Sequence, residues 1–188
     1  MLTKELEHYN STILSLQEVD LEQYGVYFQP LLESLNYDHI LVAGRKKRQG
    51  LLIAWKKDQY ELSSRKNIIY DHLDAGSVGP TMWTGNVGLC LGLKDKNDNK
   101  KGIWVSNTHL YWHPRGSYER QRQAGILVSE TMKQSASQPT WPIFICGGTI
   151  RRFWESKYLI LRFQFYAKWH DVYRVDPTAN KVDTVSRE

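Results

Sequence analysis

Cysteine is scarce in this chain, with two in 188 residues, Cys90 and Cys146. That rules out a disulfide-stapled scaffold, and the pair lacks the spacing of a cysteine metal site. Both thiols fall in apolar runs, GLCLGL and IFICGG, which predicts buried strand positions in a reducing compartment. The chain also lacks any run of the roughly 18 apolar residues that a membrane-spanning helix needs. Its start, MLTKELEHYN, has no apolar core of a signal peptide. These absences lead to the expectation of a soluble intracellular protein, cytoplasmic or nuclear, without membrane contact. There is no internal repeat, no long linker and no second apolar-rich region to suggest another domain. Acidic residues are outnumbered, and the formal charge of +5 mildly favours an anionic partner such as nucleic acid.

What is present is enough for one substantial core: 41% of the residues are apolar, which is well above a disordered composition. Seven tryptophans and eleven tyrosines suit either an aromatic-lined cleft or a sheet–helix core. Taken in order, residues 13–16 read as a strand. Tyr24, Phe28, Leu31, Leu32 and Leu35 follow at helical intervals, which predicts two short helices with Pro30 opening the second. Residues 39–43, LLIAW after Gly50, 60–69, 87–93 and 103–110 read as strands, with the polar turn DKNDNKKG joining the last two. A helix from Ser117 and the strand IFICG complete the pattern. The order of elements implies an α+β architecture with antiparallel hairpins in its middle.

Two stretches carry chemistry. GIWVSNTHLYWHPRGSYERQRQ (102–123) delivers Asn107, Thr108 and His109 to the end of a buried strand, facing a helix start bearing Arg120 and Gln123. A strand-end histidine beside a guanidinium is one way to build a phosphate site, though the same residues can be purely structural. STILSLQEVD places Glu18 at another strand end, where a carboxylate can ligate a hard cation such as magnesium or simply face solvent. The basic run Arg45 to Arg48 reads either as a phosphate or nuclear-targeting patch or as a solvated loop.

Leu16-Gln17-Glu18-Val19-Asp20, Tyr27-Phe28-Gln29-Pro30-Leu31, Leu35-Asn36-Tyr37, Gly50 with LLIAW, Asn107-Thr108-His109-Leu110, Arg120 with Gln123, and Phe144-Ile145-Cys146-Gly147 occur in that order. The ordered set resembles the endonuclease/exonuclease/phosphatase superfamily, and within it the carbon-catabolite-repressor-type RNA exonucleases, deadenylases related to nocturnin and Angel. The resemblance covers roughly residues 12–147. It implies a deoxyribonuclease I-like two-sheet β-sandwich flanked by helices, here partial, without the family's first and last strands. Residues 1–147 would form that partial domain and residues 148–188 a divergent tail. The implied activity is Mg2+-dependent hydrolysis of RNA from its 3′ end, with single-stranded or poly(A) RNA as partner. Glu18 would hold the metal, His109 would act with it at the phosphate, and Asn107 and Arg120 would serve substrate binding, Asn107 by supporting the His loop.

The chain also departs from the family pattern. Where the family continues Gly-Asp-Phe-Asn, this chain reads Gly147-Gly148-Thr149-Ile150, so the Asp position is Gly148 and the Asn position Ile150. The closing Ser-Asp-His motif has no counterpart, and His170-Asp171 has the wrong order and context. Loss of a general base costs about 10²–10⁴ in rate. The alternative expectation is therefore an inactive, truncated remnant that still binds RNA through the basic run, Trp112, Arg115 and the basic-aromatic tail. A change of reading frame or exon near Gly147 would account for the break in the pattern.

Overall fold

LLIAW is buried along its whole length because its alternate side chains serve two different cores. Leu52 and Ala54 point to one side, where Leu6, Leu14, Leu16, Leu32 and Tyr37 gather. Ile53 and Trp55 point to the other, against Leu89, Leu91, Leu93 and Val105. Such a strand has to lie in the middle of a sheet covered on both faces. In the computed structural model it does. The structure describes residues 2–148 and, as backbone, three short strands beyond them.

The first sheet comprises β1 (Ile13–Asp20), β2 (Tyr37–Ala43) and β3 (Gln49–Lys56), antiparallel throughout, in the order β1-β3-β2. The second holds β4 (Tyr60–Ile69), β5 (Val87–Asp95), β6 (Gly102–His109) and β7 (Ile143–Gly148). Strands β4, β5 and β6 form an antiparallel meander, and β7 joins β6 in parallel. On the far side of β7 the backbone adds β8 (Leu161–Arg162) and β9 (Val172–Val175), with β10 (Asp183–Val185) beyond β9. The parallel β6–β7 pair requires a crossover, supplied by the helix α4 (Ser117–Ser135). Ile126 and Leu127 of α4 pack on Tyr70, Cys90, Trp104 and Ile145. The layers run from helices through two sheets to α4, the helix-flanked two-sheet α+β sandwich that the resemblance implies.

The strands match the sequence reading closely, and the helices differ in two places. A helix α1 (Leu2–Tyr9), which the sequence reading leaves without an element, covers the first sheet through Leu6. The two helices expected around Pro30 are one helical stretch. It contains α2 (Leu21–Gln23), capped by the Asp20 carboxylate, a π turn over Tyr24–Phe28, and α3 (Gln29–Ser34). The Gln29 N–H reaches back five residues to the Tyr24 carbonyl. That wider turn needs no donor from Pro30 and leaves room for its ring. Among the described residues no helix is long and apolar enough to cross a membrane. Both cysteines are unbridged, and burial pushes both thiols up from their ordinary range. The side-chain readings for the basic-aromatic tail, Ile150 and His170-Asp171 lie outside the described residues.

Candidate active site

Leu16 pairs with Leu52 and Val19 with Gly50, so Gln17 and Glu18 together oppose the single residue Leu51. This is a β-bulge, a device that re-aims a side chain at the cost of local ladder bonds. At Glu18 the backbone has φ +57°, a left-handed conformation uncommon for a residue with a Cβ. The bulge turns Glu18 out of the first sheet and into a cleft of about 170 Å³ between the two sheets. Its side chain remains 61% exposed there, and one carboxylate oxygen lies 3.5 Å from Nε2 of His109.

Asn107 holds the bulge in place from the opposite sheet. Fully buried on β6, its Nδ2 donates to the carbonyls of Leu16 (2.8 Å) and Leu52 (3.3 Å). Its Oδ1 accepts from Nε2 of Gln17 at 2.8 Å. The amide thus bonds β1, which carries Glu18, and its neighbour β3. Asn107, which the resemblance assigns to substrate binding by way of the His loop, clips the two sheets together.

His109 ends β6, directly beside Gly148 on parallel β7. Burial, the largest influence, lowers its pKa below the ordinary histidine value. The Glu18 carboxylate opposes that shift and Lys47 adds to it. The His109 carbonyl accepts from Nδ2 of Asn86 at 2.6 Å, which fixes the strand end. After it comes the aromatic loop 110–116. Arg120 donates to the carbonyls of Tyr111, His113 and Pro114. Oε1 of Gln123 accepts the Tyr111 N–H, and its Nε2 donates to Oγ1 of Thr84. The Arg120 guanidinium, assigned to substrate by the resemblance, is bound in this structure to three carbonyls of the loop.

The remaining walls come from two loops that meet at glycines. A Cβ on Gly44 would overlap the carbonyl oxygen of Gly85, and Gly85 itself has φ +66°. Only glycine permits this close approach. Lys47 lies along Gly85 and faces the cleft, whereas Arg48 pairs at 3.2 Å with exposed Glu22. The basic run therefore divides, and Lys47 is its cleft-facing member. Trp112 stands at the rim. Asn86 and the Gly44–Gly85 contact carry no sequence signal of their own, because both arise from loops that meet only in the fold.

Among the described residues there is no group of three or more His, Cys, Asp or Glu side chains suited to a metal. The cleft offers the single carboxylate of Glu18, well exposed, with the Gln49 and Asn86 amides nearby. Magnesium is commonly held by one or two carboxylates, water and substrate phosphate oxygens. The donor set fits that mode, in which substrate completes the coordination.

No protein-family model matches the chain. Curated proteins do. A protein named probable RNA exonuclease in Schizosaccharomyces pombe is 40% identical over 147 residues, spanning 78% of this chain and 29% of that protein. The RNA exonuclease NGL2 of Saccharomyces cerevisiae is 30% identical over 181 residues, spanning 85% of this chain and 35% of that protein. The chain thus spans about a third of the length of these relatives. Among solved structures, the human Nocturnin catalytic domain superposes with TM-score 0.66 at 23% identity, over 78% of this chain and 54% of that one, a likeness of fold. ANGEL2, described as a 2′,3′-cyclic phosphatase, superposes with TM-score 0.62 at 28% identity, over 78% of this chain and 41% of that one. With the ordered motifs on the strands that form the cleft and these relatives alongside, the chain belongs to the endonuclease/exonuclease/phosphatase superfamily.

Proposed function

We propose that residues 1–147 carry the phosphate end of an RNA 3′-exonuclease site of the deadenylase type, acting on single-stranded RNA such as poly(A). The observation that carries this reading is the bulged, left-handed Glu18 facing His109 across a cleft that Lys47 also lines. Strained backbone at a cleft residue is stored where a side chain has to be aimed. The relatives named as RNA exonucleases support the substrate class.

In this reading Glu18 holds Mg2+, which when bound polarises the scissile phosphate and offsets the charge that develops on it. The Lys47 ammonium neutralises a non-bridging oxygen, and His109, kept largely uncharged by burial, donates an N–H to another. Asn107 sets the aim of Glu18, while Asn86, Arg120 and Gln123 hold the strand end and the loop. These are positioning roles. The proton acceptor for the attacking water is missing from the β7 position beside His109, because residue 148 has no side chain. This observation favours a second reading, an RNA-binding chain of low turnover.

Hydrolysis of a labelled poly(A) oligonucleotide, with magnesium and with chelator, separates the two readings. The enzyme reading requires turnover that disappears with chelator and in Glu18→Ala. The binding reading requires salt-sensitive association without cleavage. Gly148→Asp restores a carboxylate next to His109 and is expected to raise magnesium-dependent turnover by about 10²-fold or more. An unchanged rate in a folded Gly148→Asp protein would count against Gly148 as the limiting position.

A further inference from the structure

The segment between the 3₁₀ turn Tyr70–His72 and β5 contains a short tip that the fold holds rigidly outward. On one side of it, Thr81 donates its N–H and hydroxyl to Oε1 of Glu119, at 2.7 and 2.6 Å. Glu119 is buried and paired at 2.9 Å with buried Arg122, which in turn donates to the Tyr70 carbonyl. On the other side, Thr84 donates its N–H and hydroxyl to Oδ1 of Asp71, and the Gly85 N–H donates to Oδ2 at 2.7 Å. Asp71 is buried as well. Between the two clamps stand Met82 and Trp83, 46% and 77% exposed.

A lone exposed indole is ordinary. Here two buried carboxylates fix the backbone on either side of one, and the ring itself meets only an edge of His72, at 5.5 Å between centroids, among the ring contacts of the described residues. Burying a carboxylate is costly unless its oxygens are satisfied, so the arrangement invests interior polar groups in the position of a surface ring. The tip is also continuous with the cleft. Gly85 and Asn86, two and three residues further on, line it, and Gln123 ties Thr84 to the loop that carries the exposed Trp112.

We propose that Trp83 is a stacking platform for an unpaired base of the nucleic acid whose phosphate enters the neighbouring cleft. This rests on the RNA reading of that cleft. A flat, exposed π-face beside a groove that holds the backbone is how single strands are gripped without reading sequence. Trp83 thus contacts a nucleotide away from the scissile phosphate and lengthens the bound segment. The net charge of +5 matches a polyanionic occupant.

The test is fluorescence anisotropy of the full chain with a labelled dinucleotide and with an oligoadenylate of about eight nucleotides, in chelator and low salt. Trp83→Ala is expected to weaken the longer ligand about tenfold, the size of one base–aromatic stack, and to leave the dinucleotide unchanged. Trp83→Phe should recover most of the affinity, and Trp83→Leu should not. Equal binding of the longer ligand by wild type and Trp83→Ala overturns the platform alone. Full recovery by Trp83→Leu also overturns it, since that outcome marks a generic apolar contact. Failure of the wild type to bind either ligand overturns the RNA reading and the platform with it.

Discussion

Glu119 illustrates how a residue with no part in the chemistry can limit the site. Burial, the largest single influence on its carboxyl, pushes the pKa up, but the Thr81 hydrogen bonds and the Arg122 guanidinium together outweigh it. The net pKa lies below the ordinary value of 4.5. As pH falls the unfolded chain takes up this proton first. The stabilisation is therefore complete above about pH 4.5 and is lost as pH falls through the lowered folded value. Glu119→Gln removes that acid limb and leaves the Arg122 cation buried without its counter-charge, at a cost of about 3–5 kcal/mol. Urea titrations at neutral and acid pH check both effects. A variant as stable as wild type at neutral pH would show that the pair contributes nothing. His109 contrasts with this pair: it faces Glu18 at 3.5 Å from a partly exposed position, so its surroundings shape its chemistry more than its contribution to stability.

The bulge in β1 is the element on which the site depends, and it opposes the sheet's own preference. An L-residue in the left-handed region costs about 1–2 kcal/mol relative to glycine. Glu18→Gly is accordingly expected to stabilise the fold by about 1 kcal/mol while removing the carboxylate on which the proposed magnesium-dependent cleavage rests. Thermal unfolding combined with the poly(A) assay tests both halves, and a Tm below that of wild type would refute the strain. Only part of this element was legible beforehand. LQEVD marks Glu18 at a strand end, but the two-against-one register depends on how β1 meets β3, and no local pattern in β1 encodes that. The continuous apolar runs of β3 and β5 were legible because strands buried on both faces have no polar positions to spare. Pro30 misled because a π turn can absorb a proline that would break an α-helix. The internal partners of Arg120 and Asn107 were not legible, for a shared reason. Chemistry-bearing side chains near a cleft are as readily used by the protein's own carbonyls as by a ligand, and the partners come from residues far away in the chain.

At the scale of the molecule, the two sheets share one apolar interface. Leu91 is fully buried within it, between Ile53 and Trp55 of one sheet and its neighbours in the other. Leu91→Ala is expected to cost about 2–5 kcal/mol and to leave a single unfolding transition, since neither sheet retains a dry face without its partner. Coincident circular dichroism and tryptophan fluorescence curves would bear this out, and separated midpoints would show that the layers unfold independently. The hydrogen bonds of Asn107 cross this same interface. Glu18 and the strands that aim it belong to residues 13–56, whereas the clip and His109 come from β6. During synthesis the residues that carry Glu18 therefore emerge before those that aim it. The cleft itself does not exist until the two layers dock.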